Sequence, residues 1–430
     1  MGYSSGDKNS AERLPVIVEQ PCGVFPGVEM FSAEYDAEDY CDWVDQSNGD
    51  PVPSPLVMYL QDATETTAPG HSRDVIRAVE QELRLQGSLF DNDRALKQLT
   101  LSGSIATDWS DDELYRLITT VQSSFYINTD SLNSWCAFTG GAIPSAERLR
   151  LLRVLGFNVL RMMPLPSAEE NLPMESIAGA LEQADRLGFR STVLDMRRVQ
   201  FEPNALESAM QSLLARVQPE RICAPVTGER DTGVVDACLV DAGYLGFGLG
   251  WYLRAGDSWL QARTADRLSW TMLGYSELGN PDIIGVGPGA LSAVSDFYGI
   301  NQISLQAYAA SLDDGILPIV RGVVLEDADV LRREIIAMIL AAGRIEVAAI
   351  ENKWGISFRH FFARESELLR TFEQNGWVRW TGDRVDILTH ARRELVQICR
   401  VFDGRANPLS QAPHPGGRPA GADYTRSVHI

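Results

Sequence analysis

Six short apolar runs recur at intervals of roughly 30 residues, each followed by a stretch with the 3.6-residue period of an amphipathic helix. They are PLVMYL (55–60), LKQLTLSGS (96–104), LNSWCAF (132–138), FNVLRMM (157–163), RSTVLDM (190–196) and ERICAPV (220–226). The intervening stretches include SRDVIRAVEQELRLQG, SDDELYRLITTVQSSF, SAERLRLLRVLG, MESIAGALEQADRLG and NALESAMQSLLARV. Strand, helix, strand at this spacing requires parallel pairing through right-handed crossovers. Ser, Asp or Asn opens several of the helices, and Gly156 and Gly188 close two of them, as N-caps and left-handed C-caps require. Six such units predict an incomplete barrel, although periodicity alone does not separate that from an open doubly wound sheet.

The flanking segments break this rhythm. Residues 1–54 are polar and acidic, with enough apolar content in VFPGVEMF and FSAEYDAEDYCDWV to dock as a partly ordered arm. Residues 241–327 are rich in glycine and aromatics and read as an irregular cap or connecting region. From 328 to 405 the order helix, helix, helix, hairpin (WVRWTGDRVDI, with a Gly-Asp turn), helix is that of a winged-helix-like module, and the Pro- and Gly-rich residues 406–430 read as a disordered tail. The fold class expected is therefore α/β: an N-terminal arm, a partial (β/α)6 barrel over 55–240, a cap region and a C-terminal winged-helix-like helical domain.

Charge narrows the partners. The 430 residues carry a formal charge of −20, which argues against nucleic acid and anionic membrane surfaces. The charge is uneven: 15 basic against 11 acidic residues over 331–430 give +4 there and leave −24 for the rest. The wing holds two arginines and two aspartates, so its local charge cancels and a packing role is expected rather than DNA contact. The N-terminus has no secretory pattern and no apolar run approaches the ~20 residues of a membrane span, so a cytoplasmic protein with reduced thiols and no integral membrane association is expected. No GxSxG, HExxH, Walker loop or Cys-His arrangement occurs, and GVGPG at 285–289 reads as a tight turn.

The chain resembles the oxygen-independent coproporphyrinogen III oxidase family of radical SAM enzymes. The resemblance rests on GYSELGNPDIIGVGPGALS, IVRGVVLEDADVLRREII, LGFNVLR at 155–161, LGFRSTVLDM at 187–196 and QICRVFD near the end, in the family's order from about 23 to 405. It implies the radical SAM type of partial barrel. It also implies a [4Fe-4S] cluster on three cysteines after the first strand, where this chain, aligned on Tyr59, has Glu65, Pro69 and Ser72. The family's glycine cradle for S-adenosylmethionine falls on Ser102, Gly103, Ser104, Ile105 and Ala106, its amine-binding carboxylate on the segment Phe138–Gly141, and a later glutamine on Leu165. The six cysteines, at 22, 41, 136, 223, 238 and 399, form no CxxC spacing.

Three expectations follow from that comparison. A cluster is not expected, S-adenosylmethionine use is argued against, and no metal ligand or catalytic residue is assigned. Tyr59, Gly103 and Asp195 occupy family-matched cofactor-binding positions, with the alternative that Asp195 simply pairs with Arg197 or Arg198. The mouth, more apolar than the family's, is expected to suit a haem or other porphyrin, with Phe138, Arg161, Met163, Arg197, Trp251 and Tyr252 lining the cavity and arginines meeting propionates. A regulatory or scaffolding role, with a protein partner on the acidic arm or the C-terminal domain, is the alternative; a third is different chemistry in the same cavity.

Overall fold

The computed structural model describes residues 25–62, 73–102, 104–128, 134–164, 174–197, 199, 206–224, 229–389 and 392–404. The six apolar runs form six parallel strands: β1 (Leu56–Leu60), β2 (Leu96–Leu101), β3 (Ser134–Gly141), β4 (Val159–Pro164), β5 (Ser191–Asp195) and β6 (Arg221–Cys223). They lie side by side in chain order. Helix α1 (Ala37–Asn48) precedes them. Between and after the strands come α2 (Arg73–Leu89), α3 (Ser104–Asp108), α4 (Asp111–Ser124), α5 (Ala146–Val154), α6 (Met174–Arg186), α7 (Leu206–Arg216) and α8 (Glu229–Asp241).

Local chemistry sets the helix ends. Asp36 and Ser110 each accept from a backbone N–H of the first turn, while Asp39 and Glu113 reach back to the cap N–H. At the other end, Gly156 and Gly188 take φ of 104° and 72°. Phe157 and Phe189 then donate to the carbonyls of Leu152 and Ala184, five residues back, which turns both helices directly into the next strand.

Successive side chains alternate between two buried layers. Leu56, Met58, Leu60, Leu99, Leu101, Ala137, Leu160, Met162, Leu194 and Ile222 pack outward with the helices. Val57, Tyr59, Phe138, Met163, Val193 and Cys223 face the concave interior. Burial on both faces explains why these strands read as near-continuous apolar runs.

The stretch 241–327, read as an irregular cap, is instead built of short strands, and that reading is corrected. It supplies β7 (Tyr244–Gly248), β8 (Trp251–Arg254), β9 (Ser269–Thr271), β10 (Gly274–Ser276), β11 (Asp282–Val286), β12 (Leu291–Val294), β13 (Phe297–Asn301) and β14 (Ile319–Val324), with α9 (Ser258–Thr264) and α10 (Leu305–Asp313) among them. β8 and β7 extend the sheet antiparallel beyond β6, β11 pairs parallel with β1, and β12 to β14 continue antiparallel, giving twelve strands in the order β14-β13-β12-β11-β1-β2-β3-β4-β5-β6-β8-β7. The sheet curls without closing. Glycine richness marks the tight turns between these strands, as at Gly248, Gly250, Gly287 and Gly289, all with positive φ.

GVGPG is such a turn. A Cβ on Gly287 would lie 1.9 Å from the Gln61 carbonyl oxygen, and one on Gly285 would lie 2.3 Å from that of Leu291. Gln61 in turn donates its N–H to Val286 O (2.8 Å) and its Nε2 to Pro288 O (3.0 Å), so the turn is clamped on the end of β1.

The arm docks onto this frame. Tyr40 and Val44 of α1 are buried in the outer layer, and Ser32 pairs with Gly322, covering the free edge of β14. At the opposite end of the strands from the mouth, Arg94 and Asp282 form a buried ion pair (2.7 Å, side chains 1% and 3% exposed). Ser47 of α1 and the Ser295 N–H donate to the same carboxylate at 2.6 and 2.9 Å.

The C-terminal part comprises α11 (Asp327–Ala337), which continues as a π-helical turn (Met338–Ala342), then β15 (Arg344–Glu346), α12 (Val347–Trp354), α13 (Phe358–Phe361), α14 (Ala363–Gln374), β16 (Val378–Thr381), β17 (Arg384–Ile387) and α15 (Arg392–Phe402). The three strands pair in the order β15-β17-β16, with Gly382 (φ 59°) in the two-residue turn of the wing. Leu331, Ile335, Ile339, Leu395 and Ile398 are continuous with Val193, Cys223, Trp251 and Leu253 of the sheet's inner face. The module thus closes one side of the barrel. No helix among the described residues is long and apolar enough to cross a membrane.

Removing the guanidinium from the Arg94 pair leaves a desolvated carboxylate. Arg94→Met is expected to cost about 3–5 kcal/mol in urea unfolding, and Gly287→Ala to destabilise as well, because backbone rather than a mobile side chain meets the added methyl group.

Candidate functional site

Strand alternation brings Phe138, Arg161, Asp195 and Trp251 onto the same concave face. Phe138 stands opposite Arg161 across β3 and β4, and Asp195, the last residue of β5, stands opposite Cys223, itself opposite Trp251. Residues at the C-terminal ends of barrel strands, such as Asp195, are where this architecture presents its chemistry.

Asp195 is fully buried and holds two guanidinium groups. Arg161 donates to Oδ2 through Nη2 (2.7 Å) and Nε (3.2 Å). Arg197 grips both oxygens, Nε to Oδ1 at 2.9 Å and Nη2 to Oδ2 at 2.7 Å, and adds its backbone N–H to Oδ1 at 3.2 Å. Burial pushes the Asp195 carboxyl up, but the charges and hydrogen bonds of Arg161 and Arg197 outweigh it and hold the group well below the usual carboxylate range. It stays ionised throughout the physiological range.

Aromatic rings flank the arginines. The Arg161 guanidinium carbon lies 5.2 Å from the ring centroids of both Phe138 and Trp251, and that of Arg197 lies 5.9 Å from Trp251. Each such contact contributes about 0.5–2 kcal/mol and, more usefully here, holds the guanidinium plane in a fixed place. Phe138 and Trp251 are themselves 2% exposed, whereas the Arg161 and Arg197 side chains retain 16% and 15% exposure. The rings are therefore packed supports, and the arginines are the groups that reach solvent.

The remaining sequence-derived positions fall out differently. Tyr59 is buried on the inner face, its hydroxyl accepting the Leu291 N–H, and burial raises its pKa. Met163 packs beside Tyr59 and Phe138. Tyr252 is corrected: as the neighbour of Trp251 on one strand it must point the other way, and it packs into the outer helical layer. Gly103, Arg198, Leu165, Glu65, Pro69 and Ser72 lie outside the described residues. Of the two pairings considered for Asp195, that with Arg197 is present, and Arg161 joins it. Sequence spacing does not announce that second partner, which sits 34 positions away on the adjacent strand; the available signal was the period-2 register shared by Arg161 and Met163. Cys136 also faces inward, but burial pushes its thiol up to about 11 against the pull of Arg161, so it is no thiolate at neutral pH.

No family model matches the chain. It is 27% identical over 361 residues to the oxygen-independent coproporphyrinogen III oxidase of Salmonella typhimurium, covering 76% of this chain and 78% of the relative. It is 24% identical to the protein of the same name from Pseudomonas aeruginosa over 78% of this chain and 79% of the relative. Among solved structures it matches coproporphyrinogen III oxidase from Escherichia coli, described as a radical SAM enzyme, with a TM-score of 0.77 and 20% identity over 89% of this chain and 96% of that one. The chain is thus similar to the coproporphyrinogen III oxidases in sequence and shares the radical SAM fold.

These matches overturn the cofactor expectation. The alignment spans three quarters of the chain and the solved relative is a radical SAM enzyme, so a [4Fe-4S] cluster and S-adenosylmethionine belong to the chemistry this chain is related to. Cysteine spacing misjudged this because it tests one ligand set in one loop, while cofactor use is a property of a whole site. No cysteine stands between Cys41 and Cys136, and residues 63–72, directly after β1, lie outside the described residues.

The Asp195 pairing carries a pH signature. A carboxyl depressed in the folded state contributes stability above its unfolded pKa and loses it as pH falls below the ordinary carboxylate value. Asp195→Asn should therefore flatten the acid limb of a stability–pH curve while costing about 3–5 kcal/mol at neutral pH, because two guanidinium groups lose their shared acceptor.

Proposed function

We propose that this chain binds a carboxylate-bearing tetrapyrrole, a haem, porphyrin or porphyrinogen, at the mouth of its partial barrel. The observation that carries the reading is the Arg161 and Arg197 pair. Two guanidinium groups are locked by one buried aspartate and by Phe138 and Trp251, and each keeps part of its side chain exposed. Guanidinium forks are the preferred partners of planar carboxylates, and a fork whose orientation is already fixed loses little entropy when it takes one. Similarity to proteins named for coproporphyrinogen, a tetracarboxylate tetrapyrrole, supports the choice of ligand. In this reading the apolar macrocycle occupies the mouth and the arginines meet its propionates.

The test is a titration of the purified full-length chain with coproporphyrin III and with haemin, followed by the shift of the Soret band. Saturable binding at micromolar ligand is expected, and Arg197→Ala should weaken it about tenfold, the equivalent of one charge-assisted hydrogen bond. No saturable shift with either ligand would overturn the reading. Equal affinity of wild type and the Arg197 variant would remove the arginines from the binding site.

A further inference from the structure

Behind the GVGPG turn, on the outer side of the sheet, Glu82 of α2 is fully buried. Three donors converge on its carboxyl: the Gly287 N–H (2.8 Å) and the Tyr308 hydroxyl on Oε2, and Asn301 Nδ2 (2.7 Å) on Oε1. These donors come from the turn, from α10 and from β13. Asn301 Nδ2 also donates to Gly287 O at 3.0 Å, so one asparagine and one glutamate hold both polar groups of the same glycine. The titratable groups that feel the charge of Glu82 are the tyrosines Tyr40 on α1, Tyr308 on α10 and, from the inner face of the sheet, Tyr59 on β1, all with pKa values raised by burial and hence neutral. No Lys, Arg or His pairs with it among the described residues.

A buried carboxylate with neutral donors and no counter-charge is an unusual choice for a purely structural tie, because an amide would accept as well without desolvating a charge. Asn301 Oδ1, an acceptor, and Gln86 Nε2, a donor one helical turn from Glu82, are both buried without a hydrogen-bond partner among the described residues, so the surrounding amides can reorganise around either protonation state of the carboxyl.

We infer that Glu82 is a protonation-controlled latch on the GVGPG turn. In its neutral form the carboxyl donates as well as accepts within the network of Tyr308 and Asn301. In its ionised form it only accepts, and Gly287 is held by a full carboxylate. The turn rests directly on Gln61 at the end of β1, so the protonation state of Glu82 sets how firmly this edge of the barrel mouth is fastened. Burial raises the group to about 7 against the hydrogen bonds from Tyr308, Gly287 and Asn301, which places the change near neutrality.

The sign follows from linkage. Between the ordinary carboxylate range and about 7 the folded chain holds a proton that the unfolded chain has released, so this group's contribution to stability falls as pH rises through that window. Over the same window the Gly287 N–H gains a stronger acceptor.

The experiment compares the full-length chain with Glu82→Gln and Tyr308→Phe between pH 5.5 and 8.5. Infrared difference spectra should show a protonated carboxyl band at pH 6 that Glu82→Gln lacks. Hydrogen exchange of peptides covering 285–289, corrected for intrinsic rates, should show protection rising from pH 6 to 8 in the wild type and flat in that variant. Tyr308→Phe removes one donor to the ionised form and should move the transition up by about one pH unit, which keeps the test decisive should Glu82→Gln fail to fold. A wild-type exchange profile indistinguishable from the Glu82 variant, or an unmoved transition in Tyr308→Phe, would overturn the latch.

Discussion

A parallel strand buried on both faces leaves its polar side chains little access to water, so a charge on such a strand, or packed against it, needs a partner inside the protein. This constraint organises the molecule. On the inner face Asp195 is satisfied by Arg161 and Arg197; at the far end of the strands Asp282 is satisfied by Arg94, Ser47 and Ser295; between the barrel's outer wall and its helices Glu82 collects three neutral donors. The C-terminal module obeys the same rule with Arg332, which meets Glu365 at 3.2 Å and the Phe402 carbonyl at 3.3 Å. Asp195, gripped by two guanidinium groups, stays charged, while burial pushes Glu82, which has only neutral donors, toward neutrality.

The placement of these groups divides labour within the barrel. Arg94 and Asp282 tie the arm helix to the sheet and are closed off from solvent. Arg161, from within β4, and Arg197, just beyond β5, are held just as firmly on Asp195 at the C-terminal end of β5, and part of each side chain remains exposed. Rigid cations at a strand terminus are suited to meeting an anion, whereas identical chemistry at the closed end can only brace the fold. The relatives that the chain resembles in sequence are named oxygen-independent coproporphyrinogen III oxidases, and the Escherichia coli protein whose fold it shares is described as a radical SAM enzyme.

Much of the architecture was legible in the primary structure because each barrel unit is local. A run such as FNVLRMM followed by a turn at a glycine and a period-3.6 stretch is decided within 30 residues, and caps such as Ser145 and Gly156 need only their immediate neighbours. The strands of 241–327 are hard to read in sequence because they are only three to six residues long, too short for alternation to show, and because β8 and β11 find their barrel partners, β6 and β1, only through the sheet. Trp251 and Tyr252 show the same limit on a smaller scale. Adjacent aromatics look equivalent in sequence, yet a strand sends them to opposite faces.

By itself the sequence determined the alternation of strands and helices in the six barrel units, the family it resembles and the lack of a CxxxCxxC segment, since all three are properties of neighbours along the chain. Only the tertiary structure decided which charges share an acceptor. Arg161 and Asp195 are 34 residues apart, Glu82 and Gly287 205, and Arg94 and Asp282 188. Such pairings arise where sheet register and helix docking bring distant positions into a space without water. There a lone charge is costly enough that the partner, wherever it lies in the chain, becomes part of the fold.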